Sequence, residues 1–269
     1  MSNMSQPKVG RLSNQSRSLA VLLLLSILTL ALLPSLVRPA NAAVVIGDGK
    51  GNVVFGPDND NEQNSFIQPE DAGPQSLNNT DLLVGKNGDD LLIGLLGNDV
   101  IDGGRGDDIT IGGVENFVGP NSDVIDGGRG DDINIWAPGD GSDLYVGGRG
   151  DDTQIFAPIL LDDAGVPELF YAWKRQIPRV DITNKPQFSC TIEEVPAEEE
   201  LGFQFVTRFF ANGNLAVTVR LKDVEQVLCP SPNAHTVLVA DLTGYEPTKF
   251  VERPLRDFRH TLVGNIIQS

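Results

Sequence analysis

Apolar and polar positions follow two different rhythms along this chain. From residue 76 to residue 158, short apolar triplets return at nine-residue spacing, as in "LLV" at Leu82, "LLI" at Leu91, "VID" at Val100 and "ITI" at Ile109, with Gly, Asn and Asp filling the gaps. Alternation within each triplet predicts very short strands joined by glycine-rich turns. Beyond residue 158 the rhythm lengthens. "FQFVTRFFANGNLAVTVRL" alternates on both sides of Asn212-Gly213, the strongest short signal for a two-residue hairpin turn, and "HTVLVADL" adds a strand. Ahead of the repeats, "VVIGDGKGNVVF" predicts a short hairpin around a Gly-rich turn, marginal alone and suited to capping the repeats. The chain reads as all-β.

Alignment on glycine sharpens the nine-residue rhythm. "GKNGDDLLI" starts at Gly85, "GLLGNDVID" at Gly94 and "GGRGDDITI" at Gly103. A short insertion, "GGVENF", precedes "VGPNSDVID" at Val118 and "GGRGDDINI" at Gly127; Trp136 and Ala137 precede "PGDGSDLYV" at Pro138 and "GGRGDDTQI" at Gly147. With the degenerate "SLNNTDLLV" at Ser76, the sixth place of every unit is Asp.

These units resemble the repeats-in-toxin (hemolysin-type, RTX) nonapeptide G-G-x-G-x-D-x-U-x, a calcium-binding parallel β-helix repeat. The resemblance implies a calcium-binding β-roll in which six residues turn and three form a strand. The glycines permit the left-handed backbone of a tight turn. Stacked turns then bring carbonyls and carboxylates together as oxygen ligands for Ca2+. The implied metal ligands are Asp81, Asp90, Asp99, Asp108, Asp123, Asp132, Asp143 and Asp152. Coil-to-coil partners are Asp81 with Asp99, Asp90 with Asp108, Asp123 with Asp143 and Asp132 with Asp152; the assignment does not extend to pairs across the "GGVENF" insertion. Asp89, Asp107, Asp131 and Asp151, at position five, read as solvated charges. Arg105, Arg129 and Arg149, at position three, read as solvated cations relieving the negative surroundings. Rows of carboxylates repel one another and tiny strands bury little, so calcium uptake and folding are expected to be linked.

The eighth position departs from the pattern. Leu83, Leu92, Ile101, Ile125 and Tyr145 suit the inside of the roll, whereas the three GGRGDD units carry Thr110, Asn134 and Gln154 there, flanked by isoleucines. Either the register flips locally, or an outward isoleucine stripe is covered; we expect the region after the repeats to cover it.

Charge and termini extend the picture. The formal net charge is −17 and no Asp or Glu lies before residue 43, so the remainder repels nucleic acid and attracts cations. A basic stretch, the apolar run Leu19 to Leu33 and "ANA" at Ala40 to Ala42 fit a cleaved secretory signal peptide, which would leave no membrane span. Cys190 and Cys229 then form one disulfide of an oxidising compartment. The expected layout is a signal peptide (1–42), a leader or cap (43–75), the β-roll (76–158) and a small β-rich C-terminal domain (159–269).

No H-E-x-x-H or G-x-S-x-G occurs, and no carboxylate pair is singled out for catalysis. The resulting expectation is a non-enzymatic, secreted or extracellular calcium-binding protein of the medium, cell surface or periplasm, whose C-terminal domain contacts a surface polysaccharide or protein partner. The alternatives are an enzyme acting on extracellular polymers and a structural component of the cell envelope or matrix.

Overall fold

The computed structural model describes residues 81–95, 97–113, 122–162, 167–196 and 202–267, and the backbone of two earlier strands, 44–46 and 53–55. The signal-peptide segment and residues 76–80 of the first repeat lie outside the described residues.

Strands alternate between two eight-stranded sheets. β1 (Val44–Ile46), β3 (Leu82–Asn87), β5 (Val100–Arg105), β7 (Val124–Arg129) and β9 (Leu144–Arg149) stack parallel in one. β2 (Val53–Phe55), β4 (Leu91–Leu95), β6 (Ile109–Gly113), β8 (Ile133–Trp136) and β10 (Thr153–Phe156) stack parallel in the other. Residues 82–156 are thus a parallel β-solenoid, as expected of a β-roll. The leader is not a hairpin, contrary to the sequence expectation. β1 pairs with β3 and β2 with β4, in different sheets. The physical reason is its period: Val44 and Val53 are nine residues apart, as are their partners Leu82 and Leu91, so the segment continues the coil instead of folding back on itself.

The insertions leave the register intact. Ile101 pairs with Ile125 and Ile111 with Ile135 across the longer one. Leu92, Thr110, Asn134 and Gln154 remain aligned in adjacent strands of the second sheet, and all are buried. Polar side chains inside are satisfied by one another: Thr110 Oγ1 donates to Asn134 Oδ1 at 2.9 Å and Asn134 Nδ2 to Gln154 Oε1 at 2.9 Å. Such pairing offsets the desolvation that would otherwise oppose burying them.

Because the register holds, Ile109, Ile111, Ile133, Ile135 and Ile155 face outward from the roll, yet each is nearly or fully inaccessible. They pack with Ile177, Val180, Ile182, Leu228, Val237, Val239, Ile266 and Ile267. The C-terminal region covers the stripe, as the pattern requires.

That region is built onto the roll. β11 (Leu169–Ala172) and β12 (Arg175–Pro178) form a hairpin. β13 (Phe188–Glu194), β14 (Phe205–Ala211) and β15 (Asn214–Lys222) form a meander with Asn212 and Gly213 at its predicted turn, both at positive φ. β15 pairs parallel with β9 and extends the first sheet. β16 (Gln226–Pro230) pairs parallel with β10 and extends the second, followed by β17 (Thr236–Asp241) and β18 (Val251–Pro254). A 3-10 turn (Leu255–Phe258) and the short helix α1 (Leu262–Ile267) close the chain. Cys190 of β13 and Cys229 of β16 form a disulfide between the two sheets, with Cα atoms 6.3 Å apart. Trp136, Phe156 and Phe209 pack together inside, Trp136 and Phe209 with ring centroids 4.9 Å apart. Among the described residues, no helix is long and apolar enough to cross a membrane.

Candidate metal centre

Every repeat places its sixth residue where a turn enters a strand, so the aspartates fall on two edges. Asp81, Asp99, Asp123 and Asp143 precede the strands of the first sheet; Asp90, Asp108, Asp132 and Asp152 precede those of the second. All eight are buried, none more than 2 % exposed.

The Oδ1 atoms of Asp99, Asp108, Asp123, Asp132, Asp143 and Asp152 build two ladders. On the first edge, the backbone N–H of Asp81 donates to Asp99 Oδ1 at 2.9 Å, that of Asp99 to Asp123 at 2.6 Å, and that of Asp123 to Asp143 at 3.0 Å. On the second, the N–H of Asp90 donates to Asp108 at 2.7 Å, that of Asp108 to Asp132 at 2.8 Å, and that of Asp132 to Asp152 at 2.8 Å. The four expected pairs are adjacent. So are Asp99 with Asp123 and Asp108 with Asp132, which sequence reasoning left out. The strands on both sides of the insertion keep their partners, which sequence spacing alone does not convey.

The second oxygen has another environment. Oδ2 of Asp108, Asp132 and Asp152 is buried and accepts no hydrogen bond. Each points to a glycine whose missing side chain leaves a cradle. A Cβ on Gly103 would lie 2.6 Å from Asp108 Oδ2 and 2.6 Å from the Gly127 carbonyl oxygen; one on Gly127 would lie 2.7 Å from Asp132 Oδ2 and 2.8 Å from the Gly147 carbonyl oxygen. Glycine is needed here because the space is shared by converging oxygens. A carboxylate and a carbonyl converging on one buried point, repeated coil after coil, is the donor set a hard cation takes. The residues fit calcium.

Electrostatics agree. Burial pushes the Asp108 carboxyl up to about 7, Asp132 up to about 8 and Asp152 up to about 7, with neighbouring carboxylates adding to the rise. Protein groups alone leave these charges costly, and a cation held by these carboxylates would lower that cost.

A further ligand candidate escaped the sequence reading. Asp123, Asp140 and Asp143 are buried and bring carboxylate oxygens within 4.8 Å of one another. Asp140 occupies position three, where other units hold Asn87, Arg105, Arg129 or Arg149. Its Oδ2 accepts from Gly113 N–H at 3.1 Å and its Oδ1 from Gly141 N–H at 2.9 Å, while Trp136 Nε1 donates to the Gly141 carbonyl at 3.0 Å. The turn is therefore tied to the core, and burial pushes Asp140 up to about 6. The sequence signal was an acid in a variable slot, legible only once the coils are stacked.

Position five behaves differently from position six. Asp89, Asp107 and Asp131 are exposed, and their Oδ1 atoms accept from the N–H of Asp107, Asp131 and Asp151 at 3.0–3.1 Å. Arg105, Arg129 and Arg149 lie in register on adjacent strands and are exposed. The Arg175 guanidinium reaches the second edge, where Nη2 donates to the Asp90 carbonyl at 2.6 Å and Nη1 to that of Asp107.

A family model described as the RTX calcium-binding nonapeptide repeat matches residues 77–115 and 118–133. The chain thus carries RTX repeats, and calcium is the ion that such repeats bind. Neither curated proteins nor solved structures give a match.

Proposed function

We propose that this is a secreted calcium-binding protein whose roll orders on calcium uptake and holds a C-terminal region that contacts a partner outside the cell. The ligands in this reading are the eight position-six aspartates, with Asp140 joining Asp123 and Asp143. The observation that carries it is the row of buried Oδ2 atoms at Asp108, Asp132 and Asp152 that accept no hydrogen bond and face glycine cradles. Bound calcium supplies the positive charge that offsets their repulsion and desolvation. The chain's own part is to fix the oxygens: at Asp108, Asp132 and Asp152 a backbone N–H holds Oδ1, which leaves Oδ2 aimed at the cradle.

Export is supported by the basic, apolar and small-residue segments at the N-terminus and by the disulfide. The contact role is supported by a cleft of about 820 Å³ lined by Trp173, His235, Arg256, Arg259 and His260. This concentrates cationic groups and an exposed aromatic on a chain of formal charge −17, a surface suited to an acidic polysaccharide or protein. The role in this reading is non-enzymatic, as a binding surface.

The test is a calorimetric calcium titration of residues 43–269. We expect several ions per chain, and fewer for Gly127→Ala, whose methyl group would fill a cradle. No heat of binding for the parent chain would refute the reading.

A further inference from the structure

We propose that the C-terminal region completes one more cation site at its junction with the roll, formed by Asp152, Glu225 and the main-chain carbonyl of Asp223. The proposal rests on the calcium reading of the repeats and extends it past the last repeat.

The second edge does not end at Asp152. Its backbone N–H donates to Glu225 Oε2 at 2.7 Å, in the same sense as Asp132 N–H donates to Asp152 Oδ1 at 2.8 Å one coil earlier. Glu225 therefore stands where the next position-six aspartate would. The carbonyls repeat too. In the preceding coil the Gly147 carbonyl faces the cradle shared with Asp132 Oδ2; a Cβ on Gly147 would meet Asp223 O and, at 2.6 Å, Asp152 Oδ2. Strand register explains the coincidence. Lys222 pairs with Val146 on the first sheet and Gln226 with Thr153 on the second. Residues 223–225 thus replace the six-residue turn 147–152 with a three-residue one. A shorter turn starts farther back, and glutamate's extra methylene restores the reach.

Two observations separate this from a chance acidic cluster. Asp152 is fully buried, and its Oδ2 accepts no hydrogen bond while facing the junction cradle. The turn is also clamped: Asp223 N–H donates to Gln204 Oε1 at 2.7 Å and Gln204 Nε2 donates to Asp223 Oδ1 at 3.1 Å. The Asp223 carbonyl also accepts from Gly148 N–H at 3.1 Å. Its direction is therefore fixed before any ion arrives.

The ligand class is a hard divalent cation, calcium by the oxygen-only donors, with water filling the positions that the protein leaves open. Because its donors lie on both sides of the junction, binding there stabilises the docking of β15 and β16 on the roll, and docking improves binding by the same factor.

The experiment compares residues 43–269 with Glu225→Gln and Asp132→Asn, using calcium calorimetry and amide hydrogen exchange. Glu225→Gln keeps the acceptor of Asp152 N–H and removes the charge. We expect it to lose one ion from the stoichiometry, or to weaken one site about tenfold or more, and to lose calcium-dependent protection of residues 221–228. Asp132→Asn should reduce calcium binding within the roll and leave that protection in place. Unchanged stoichiometry, affinity and protection in Glu225→Gln, with the parent chain binding calcium, would overturn the junction site alone. A parent chain that binds no calcium would instead overturn the reading beneath it. If Glu225→Gln fails to fold, Asp223→Gly with Glu225 retained provides the second variant: the carbonyl stays but its side-chain clamp is lost, and a weakened last site with the other ions intact is expected. An unweakened last site would count against the proposal.

Discussion

The turns of the roll and the C-terminal region bury opposite kinds of group. Along the turns, buried carboxylates face one another across glycine cradles, and burial holds the carboxyls of Asp108, Asp132 and Asp152 far above their ordinary range. In the C-terminal region the buried groups are mainly apolar, such as Phe209, Val217, Val219, Leu221 and Val237, and a disulfide joins the sheets. In the proposed reading, the stability of the turns responds to the solution's cations and protons. That of the C-terminal region depends on area removed from water and on a covalent link. The comparison teaches that a fold can be continuous in hydrogen bonding, as β9 to β15 and β10 to β16 are, and in its apolar clusters, while the turns of one part bury charge that the other part does not.

The largest contrast should appear with pH in excess chelator. Asp108, Asp132 and Asp152 bind protons more tightly folded than unfolded, because their folded values of about 7 to 8 exceed the ordinary 3.8. Their protonation therefore favours the folded roll below about pH 4, and that advantage is lost as pH rises through about 7 to 8. Thermal unfolding in chelator should show the roll becoming more stable as pH is lowered from 8 to 5. The same change with saturating calcium should run the other way, since protons compete with the ion. Equal slopes in both conditions would erase the proposed difference between the two regions.

A smaller contrast comes from the disulfide. Replacing Cys190 and Cys229 with Ser should cost about 2–4 kcal/mol of stability, measured by denaturant unfolding in calcium, while leaving the number of ions bound by the roll unchanged. Loss of roll ions in this variant would mean that the carboxylate edges depend on the staple.

The roll was largely legible because its period is local. Nine-residue spacing fixes which residues turn, and alternation fixes which side chains face inward. The same spacing placed the eight aspartates on two edges. The leader was misread because a Gly-rich turn between two apolar triplets suits either a hairpin or a coil, and only the pairing of Val44 with Leu82 decides between them. The polar interior at Thr110, Asn134 and Gln154 left two registers open; three mutually bonded side chains settle it. Asp140 and Glu225 were hidden for a different reason. Neither stands at position six of a repeat, and their roles depend on stacking across an insertion or on a contact 73 residues away in sequence. The isoleucine stripe did announce that something must cover it, since outward apolar rows on one sheet are not left in water. Which residues would cover it was not encoded in any short pattern.

The most direct test of the account is far-ultraviolet circular dichroism of residues 43–269 at neutral pH while calcium is added to chelated protein. A cooperative gain of β signal that saturates with the calorimetric stoichiometry is the result expected if cation capture stabilises the coils. Full β signal in excess chelator, unchanged by calcium, would contradict it.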